Sequence, residues 1–201
     1  MAEKSSKLKI KLIITLILFI LAIAMMVVGI WASQAGKDRW KADVTISTKD
    51  VDLKVSAYVT GATNTTDIGY SASNPKTLID VTEDDDVVEP ADWSDINFTF
   101  ANKNTAIELV IIVENRKLGG EVNALLEVSL GNYAITDVPT EIGNSNVIAY
   151  IVAPSKINGA LEGVNQFEEF KVILEIADQN KDVKPTELNI SLTLTDANQE
   201  L

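Results

Sequence analysis

Seven carboxylates crowd the thirteen residues from Glu83 to Asp95: Glu83, Asp84, Asp85, Asp86, Glu89, Asp92 and Asp95. Hard oxygen donors at that density suit Ca²⁺, which takes about six to eight oxygen ligands. Asp84, Asp85, Asp86 and Glu89 are the expected metal ligands. The competing reading is a solvated acidic loop, the commoner fate of such a run. A second stretch, Asp178-Gln179-Asn180-Lys181-Asp182, starts as an EF-hand loop does, with side-chain oxygens at alternate positions. Val183 then stands where the sharp turn needs Gly, and Asn189 where the bidentate Glu belongs, so a hairpin turn is the better expectation. Ser155-Lys156 are adjacent rather than spaced as a dyad. Glu168 and Glu169, neighbours at the start of a strand, point to opposite faces and cannot share acid/base work.

The chain of 201 residues has no histidine and no cysteine. That removes the Ser-His-Asp triad, the Cys nucleophile and the usual zinc and haem sites. We expect no catalytic residue, no cofactor other than Ca²⁺, and no enzyme. Residues 1–41 hold seven Lys/Arg and two acids, net +5, which leaves ten Lys/Arg against twenty-seven acids, net −17, in residues 42–201. A body of that sign repels nucleic acid, so no nucleic-acid partner is expected. Asn64-Thr65-Thr66, Asn97-Phe98-Thr99 and Asn189-Ile190-Ser191 match the glycosylation sequon, at a frequency near chance in an Asn- and Thr-rich chain.

The elements that would have to position any site follow a period of two. Val51, Leu53, Val55, Ala57 and Val59 alternate with polar residues, as a strand does with one face in a core and one in water. The same alternation marks Ile96–Phe100, Ile107–Val113, Val122–Leu130, Phe170–Ile176 and Leu188–Leu194, with Val147–Val152 as a short apolar run. The middle of Ile107–Val113 reads as buried on both sides. Weaker runs at Val44–Ser47 and Thr77–Val81 bring the total to eight or nine strands, with no comparable amphipathic helix. Strands of this kind, separated by Gly, Asn, Asp and Pro turns, predict an all-β fold: a single antiparallel β-sandwich, jelly-roll or Ig-like, over residues 42–201. Without disulfides the core alone must hold it, which is feasible at this length.

From Leu12 to Ile30 the chain runs nineteen residues without charge or proline. As a helix it spans roughly 28 Å, close to the ~30 Å hydrocarbon core of a bilayer. One N-terminal transmembrane helix is therefore expected over residues 12–31, after a basic leader (1–11) and before a stalk (32–41). Lys9 and Lys11 with their neighbours keep the leader cytoplasmic, and Trp31 marks the outer interface, so the C-terminal domain is extracytoplasmic. Trp40 fits either the interface or the domain. Ser33-Gln34-Ala35 also satisfies the small-residue rule for a signal peptidase, with cleavage after Ala35. Length favours a retained cell-membrane anchor; the small residues favour a secreted or cell-surface product.

The Lys-rich start, the apolar run ending Gly29-Ile30-Trp31-Ala32 and the strand pattern of Ile96–Val113 resemble the TasA and camelysin family of bacterial cell-surface and biofilm-fibre proteins. The chain lacks the Phe-Ser/Asn-Asp of that family's mature start and has a longer apolar run. The resemblance implies a jelly-roll subunit that assembles into fibres by lending an N-terminal strand to its neighbour. No histidine is present to support the zinc protease activity attributed to camelysin.

The leading expectation is a membrane-anchored or exported structural protein of the cell surface, a fibre, matrix or adhesion subunit that forms homo-oligomers. Its assembly strand is sought in Val44–Val59, at Val51, Leu53, Val55 and Val59, because a sheet edge beside a flexible stalk can pair with another chain. The alternative is an extracellular binding module, holding carbohydrate, Ca²⁺ or a partner protein in the loops 61–76 and 83–95.

Overall fold

The computed structural model describes residues 40–63, 71–82, 91–102, 104–184 and 186–197, all within the compact unit Arg39–Leu201. The stretch 12–31, with Lys9, Lys11, Trp31 and Ala35, lies outside the described residues, as do Asp84, Asp85, Asp86 and Glu89. Among the described residues no helix is long and apolar enough to cross a membrane.

The described chain is all-β. In order, its strands are β1 (Trp40–Lys49), β2 (Leu53–Thr60), β3 (Ala62–Thr63), β4 (Lys76–Val81), β5 (Ala91–Phe100), β6 (Ile107–Asn115), β7 (Val122–Leu130), β8 (Tyr133–Ile135), β9 (Thr140–Glu141), β10 (Val147–Val152), β11 (Lys156–Ile157), β12 (Gln166–Ile176) and β13 (Glu187–Asp196). All nine runs found in the sequence are strands. The two- and three-residue strands β3, β8, β9 and β11 are too short to leave a period.

Two sheets result. One runs β11-β7-β13-β1-β5-β3 with β8 also on β7; the other runs β4-β2-β6-β12-β10-β9. Their facing sides share one apolar core, in which alternate residues of every long strand meet, among them Ile46, Leu53, Phe98, Leu109, Phe170 and Leu192. Trp40 belongs to this core rather than to an interface, stacked on Phe98 at 6.5 Å and edge-on to Phe100 at 6.3 Å. The strand therefore begins inside the segment expected to be stalk.

Most connections cross from one sheet to the other. β1 leads into the second sheet at β2, β5 crosses to β6, β6 to β7, and β12 to β13. The stretch Asp178–Asp182 is such a crossing and not a hairpin turn, which corrects the expectation from sequence. One ladder breaks the antiparallel rule: β1 and β13 pair parallel over Lys41–Lys49 and Glu187–Thr195, in the middle of their sheet. Among the described strands every other ladder is antiparallel.

Glycine is obligatory at Gly61, where φ is +75° and a Cβ would fall 1.8 Å from the Ala106 carbonyl oxygen. β6 is buried on both sides at Val110, as expected: that side chain faces away from the core yet is fully covered. Asn97 and Asn189, two of the three sequon asparagines, lie within β5 and β13.

Candidate functional site

Val51, Leu53, Val55 and Val59 are buried core residues. β1 lies between β13 and β5, and β2 between β4 and β6, so neither strand is a sheet edge. The edge on which their expected assembly role rested is absent: pairing with another chain would require removing a native neighbour first. Asp92 stands on β5 rather than in the acidic loop, because that strand begins at Ala91. Among the described residues no group of three or more acidic side chains is placed to hold a metal ion.

The remaining candidates are locally satisfied. Asp178 Oδ1 accepts from the Asn180 backbone N–H at 2.9 Å and its Oδ2 lies 3.5 Å from Lys181 Nζ. These partners, the Asn180 amide above all, hold its carboxyl below the usual carboxylate range. Lys156 faces Glu121 at 3.4 Å, and Glu169 pairs with Lys171 at 2.8 Å.

A different surface stands out at the end of the sandwich remote from Trp40. β6 ends there at Asn115, whose side chain is 0% exposed. Its Nδ2 donates to the carbonyls of Gly120 at 2.8 Å and Asn158 at 2.9 Å, and its Oδ1 accepts from the Lys117 N–H at 3.0 Å. One buried amide thus ties the loop after β6 to the loop after β11. Backbone bonds complete the join: Gly119 N–H to the Ala160 carbonyl and Ala160 N–H to the Lys117 carbonyl, both 2.9 Å. At Gly159 a Cβ would lie 2.5 Å from the backbone of Gly119 and Gly120, so the two loops touch main chain to main chain.

This glycine-rich knuckle carries large apolar side chains into solvent. Leu118 is 71% exposed, Leu161 65% and Val164 54%; Phe167, on the adjoining outer face of β12, is 59% exposed. Isolated exposed leucines need no explanation; several on one fixed platform make this end the candidate surface. Around them the ions pair. Arg116 meets Asp80 at 2.8 Å and Glu114 at 3.8 Å, Lys117 meets buried Asp196 at 2.7 Å, and Asn165 donates to Glu114. Arg116 chiefly, through its hydrogen bond, holds the Asp80 carboxyl below its ordinary range. Glu121, Glu162 and Glu168 add further acids to the same surroundings, and Asp52 adds another beside Arg116. The signal of this end in the sequence is apolar residues in loops whose turn chemistry does not call for them, Lys117-Leu118-Gly119-Gly120 and Gly159-Ala160-Leu161-Glu162-Gly163-Val164.

No family model and no curated protein matches the chain. Among solved structures it is similar to IP-1A from Alcaligenes faecalis, at 14% identity over 82% of this chain and 96% of that one. The TM-score is 0.29, too low for the likeness to bear on fold or function.

Proposed function

We propose that the chain is a structural or adhesive subunit of the cell surface, held by a transmembrane helix over residues 12–31 and docking a partner through the Leu118–Leu161 knuckle. The observation that carries this is the rigid display of Leu118, Leu161 and Val164 at the end of the sandwich opposite Trp40, where the chain enters it. The apolar run, the net −17 body and the resemblance to the TasA and camelysin family support the same reading, with the sandwich as a jelly-roll-like module. The apolar side chains supply contact area and the surrounding acids select a partner with a basic rim, since two copies meeting end to end would oppose acid with acid.

The absence of native cysteine allows a direct test. A photo-crosslinker attached to Leu161→Cys in the full-length chain, expressed in cells, should give an adduct of defined mass. The same reagent on Thr45→Cys, exposed on the outer face of the other sheet, should give none. An adduct of twice the chain's mass would show two copies meeting there and overturn the choice of a basic-rimmed partner. No adduct, or the same products from both positions, would remove the proposal, as would a domain shielded from added protease on intact cells.

A further inference from the structure

At the opposite end, beside Trp40, three turns meet around an exposed tyrosine. β7 and β8 are joined by a two-residue hairpin loop, Gly131-Asn132, with Leu130 paired to Tyr133. β9 and β10 are joined through Gly143-Asn144, and Lys181–Lys184 run past on the way to β13. Two adjoining hollows of about 290 and 360 Å³ open here, and both are bordered by Asn144 and Lys184.

The frame of this cleft is fixed before any ligand arrives. Asn146, buried and at φ +61°, donates through Nδ2 to the carbonyls of Asp178 at 2.9 Å and Lys181 at 3.2 Å, and its Oδ1 accepts from the Asp178 N–H at 2.8 Å. Ser145 Oγ donates to the Ile142 carbonyl at 2.7 Å, while the Lys184 N–H bonds the Ser145 carbonyl and the Gly131 N–H bonds the Glu187 carbonyl. Tyr133 is braced in turn. A Cβ on Gly143 would lie 3.0 Å from its Oη and 3.1 Å from ring carbons, so the tip of the ring rests on the glycine while 55% of the residue stays exposed.

We propose that this cleft binds an uncharged saccharide of one or two rings, stacked on Tyr133 and hydrogen-bonded by Asn132, Asn144 and Lys184. An aromatic face carries negative charge density and attracts the weakly positive C–H faces of a pyranose. Exposed side-chain amides both donate and accept, which matches hydroxyls that do the same. Glu141 and Asp182 stand beside Lys184 on the rim and Lys181 is already paired with Asp178, so no excess of cations is left to select an anion. The hollows fall near the lower end of the ~300–1,000 Å³ usual for small-ligand sites, consistent with one or two rings.

The test uses the full-length chain in detergent and a panel of neutral mono- and disaccharides of glucose, galactose, mannose and N-acetylglucosamine, followed by calorimetry. At least one should bind. Tyr133→Ala should weaken it roughly tenfold, Tyr133→Phe should leave it within about twofold, and Asn144→Ala should weaken it several-fold with an unchanged melting temperature. Absence of binding by every neutral sugar up to about 10 mM would overturn the proposal. So would a preference for sialylated or sulfated sugars, or binding by Tyr133→Ala equal to that of the parent chain. Should Tyr133→Ala fail to fold, the affinity of Asn144→Ala decides between the two outcomes.

Discussion

Replacing Asn115 with alanine tests whether the apolar knuckle is held rigid by one buried amide. The change deletes three hydrogen bonds, to the carbonyls of Gly120 and Asn158 and from the Lys117 N–H. Each is worth a net ~0.5–1.5 kcal/mol, and a buried group left without a partner costs ~1–3 kcal/mol, so we expect a loss of about 2–4 kcal/mol after partial relaxation. That is a large share of the ~5–15 kcal/mol available to an ordinary domain. Urea unfolding of the full-length chain in detergent, followed by tryptophan fluorescence, reads it well because Trp40 and Trp93 are both buried. Hydrogen exchange at the Gly119 and Ala160 amides, which bond across the two loops, should accelerate more than exchange within β6. Asn115→Asp is the sharper variant. It keeps the acceptor for Lys117 but turns a carboxylate toward two carbonyl oxygens, so near neutrality it should be less stable than Asn115→Ala, and it should recover as the pH falls and the carboxyl gains a proton. A loss below about 1 kcal/mol for Asn115→Ala with unaltered exchange, or an Asn115→Asp chain as stable as the alanine variant at neutral pH, would refute the argument.

The neighbouring glycines and ion pairs yield two more expectations. Gly159→Ala forces a methyl against main-chain atoms of Gly119 and Gly120 that cannot yield, and should cost ~1–3 kcal/mol and part the loops, abolishing the crosslink from position 161. Gly120→Ala drives its methyl into Cγ and Cδ of Lys117, whose Nζ is held by buried Asp196, and should cost a comparable amount by the same urea midpoint. The Asp80 carboxyl, lowered by its bond to Arg116, stabilises the fold above its ordinary value near 3.9 and loses that contribution as the pH falls through its folded value. With Asp80 half exposed the effect is no more than about 1 kcal/mol. Side-chain carboxyl NMR should find Asp80 titrating at lower pH in the parent than in Arg116→Ala; identical titrations would show that the pair does not form in solution.

The alternation of apolar and polar residues located every long strand because each has one face in a single shared core. It misplaced the start of β5 for a physical reason. The β1–β5 register shifts between Ala42 and Val44, so Ile96 and Trp93, three positions apart, both turn inward. That bulge breaks the period of two just where Asp92 and Asp95 sit, and the strand's first half reads as acidic loop. Turn chemistry is equally ambiguous: Asp178 and Asn180 form the same local bonds whether the chain doubles back within a sheet or crosses to the other. Which strands are neighbours is a long-range fact, and it decided the placement of Val51, Leu53, Val55 and Val59 away from any edge. The knuckle and the cleft both unite residues distant in sequence, Leu118 with Leu161 and Tyr133 with Asn144 and Lys184, so no window of sequence contains either.

The parallel ladder of β1 with β13 has a consequence for biogenesis. β1, the first of the described strands, waits for nearly the whole domain before its neighbour β13 exists, and the sheet cannot close around it until then. A nascent chain that is kept open in this way completes the centre of this sheet only after β13 has been made.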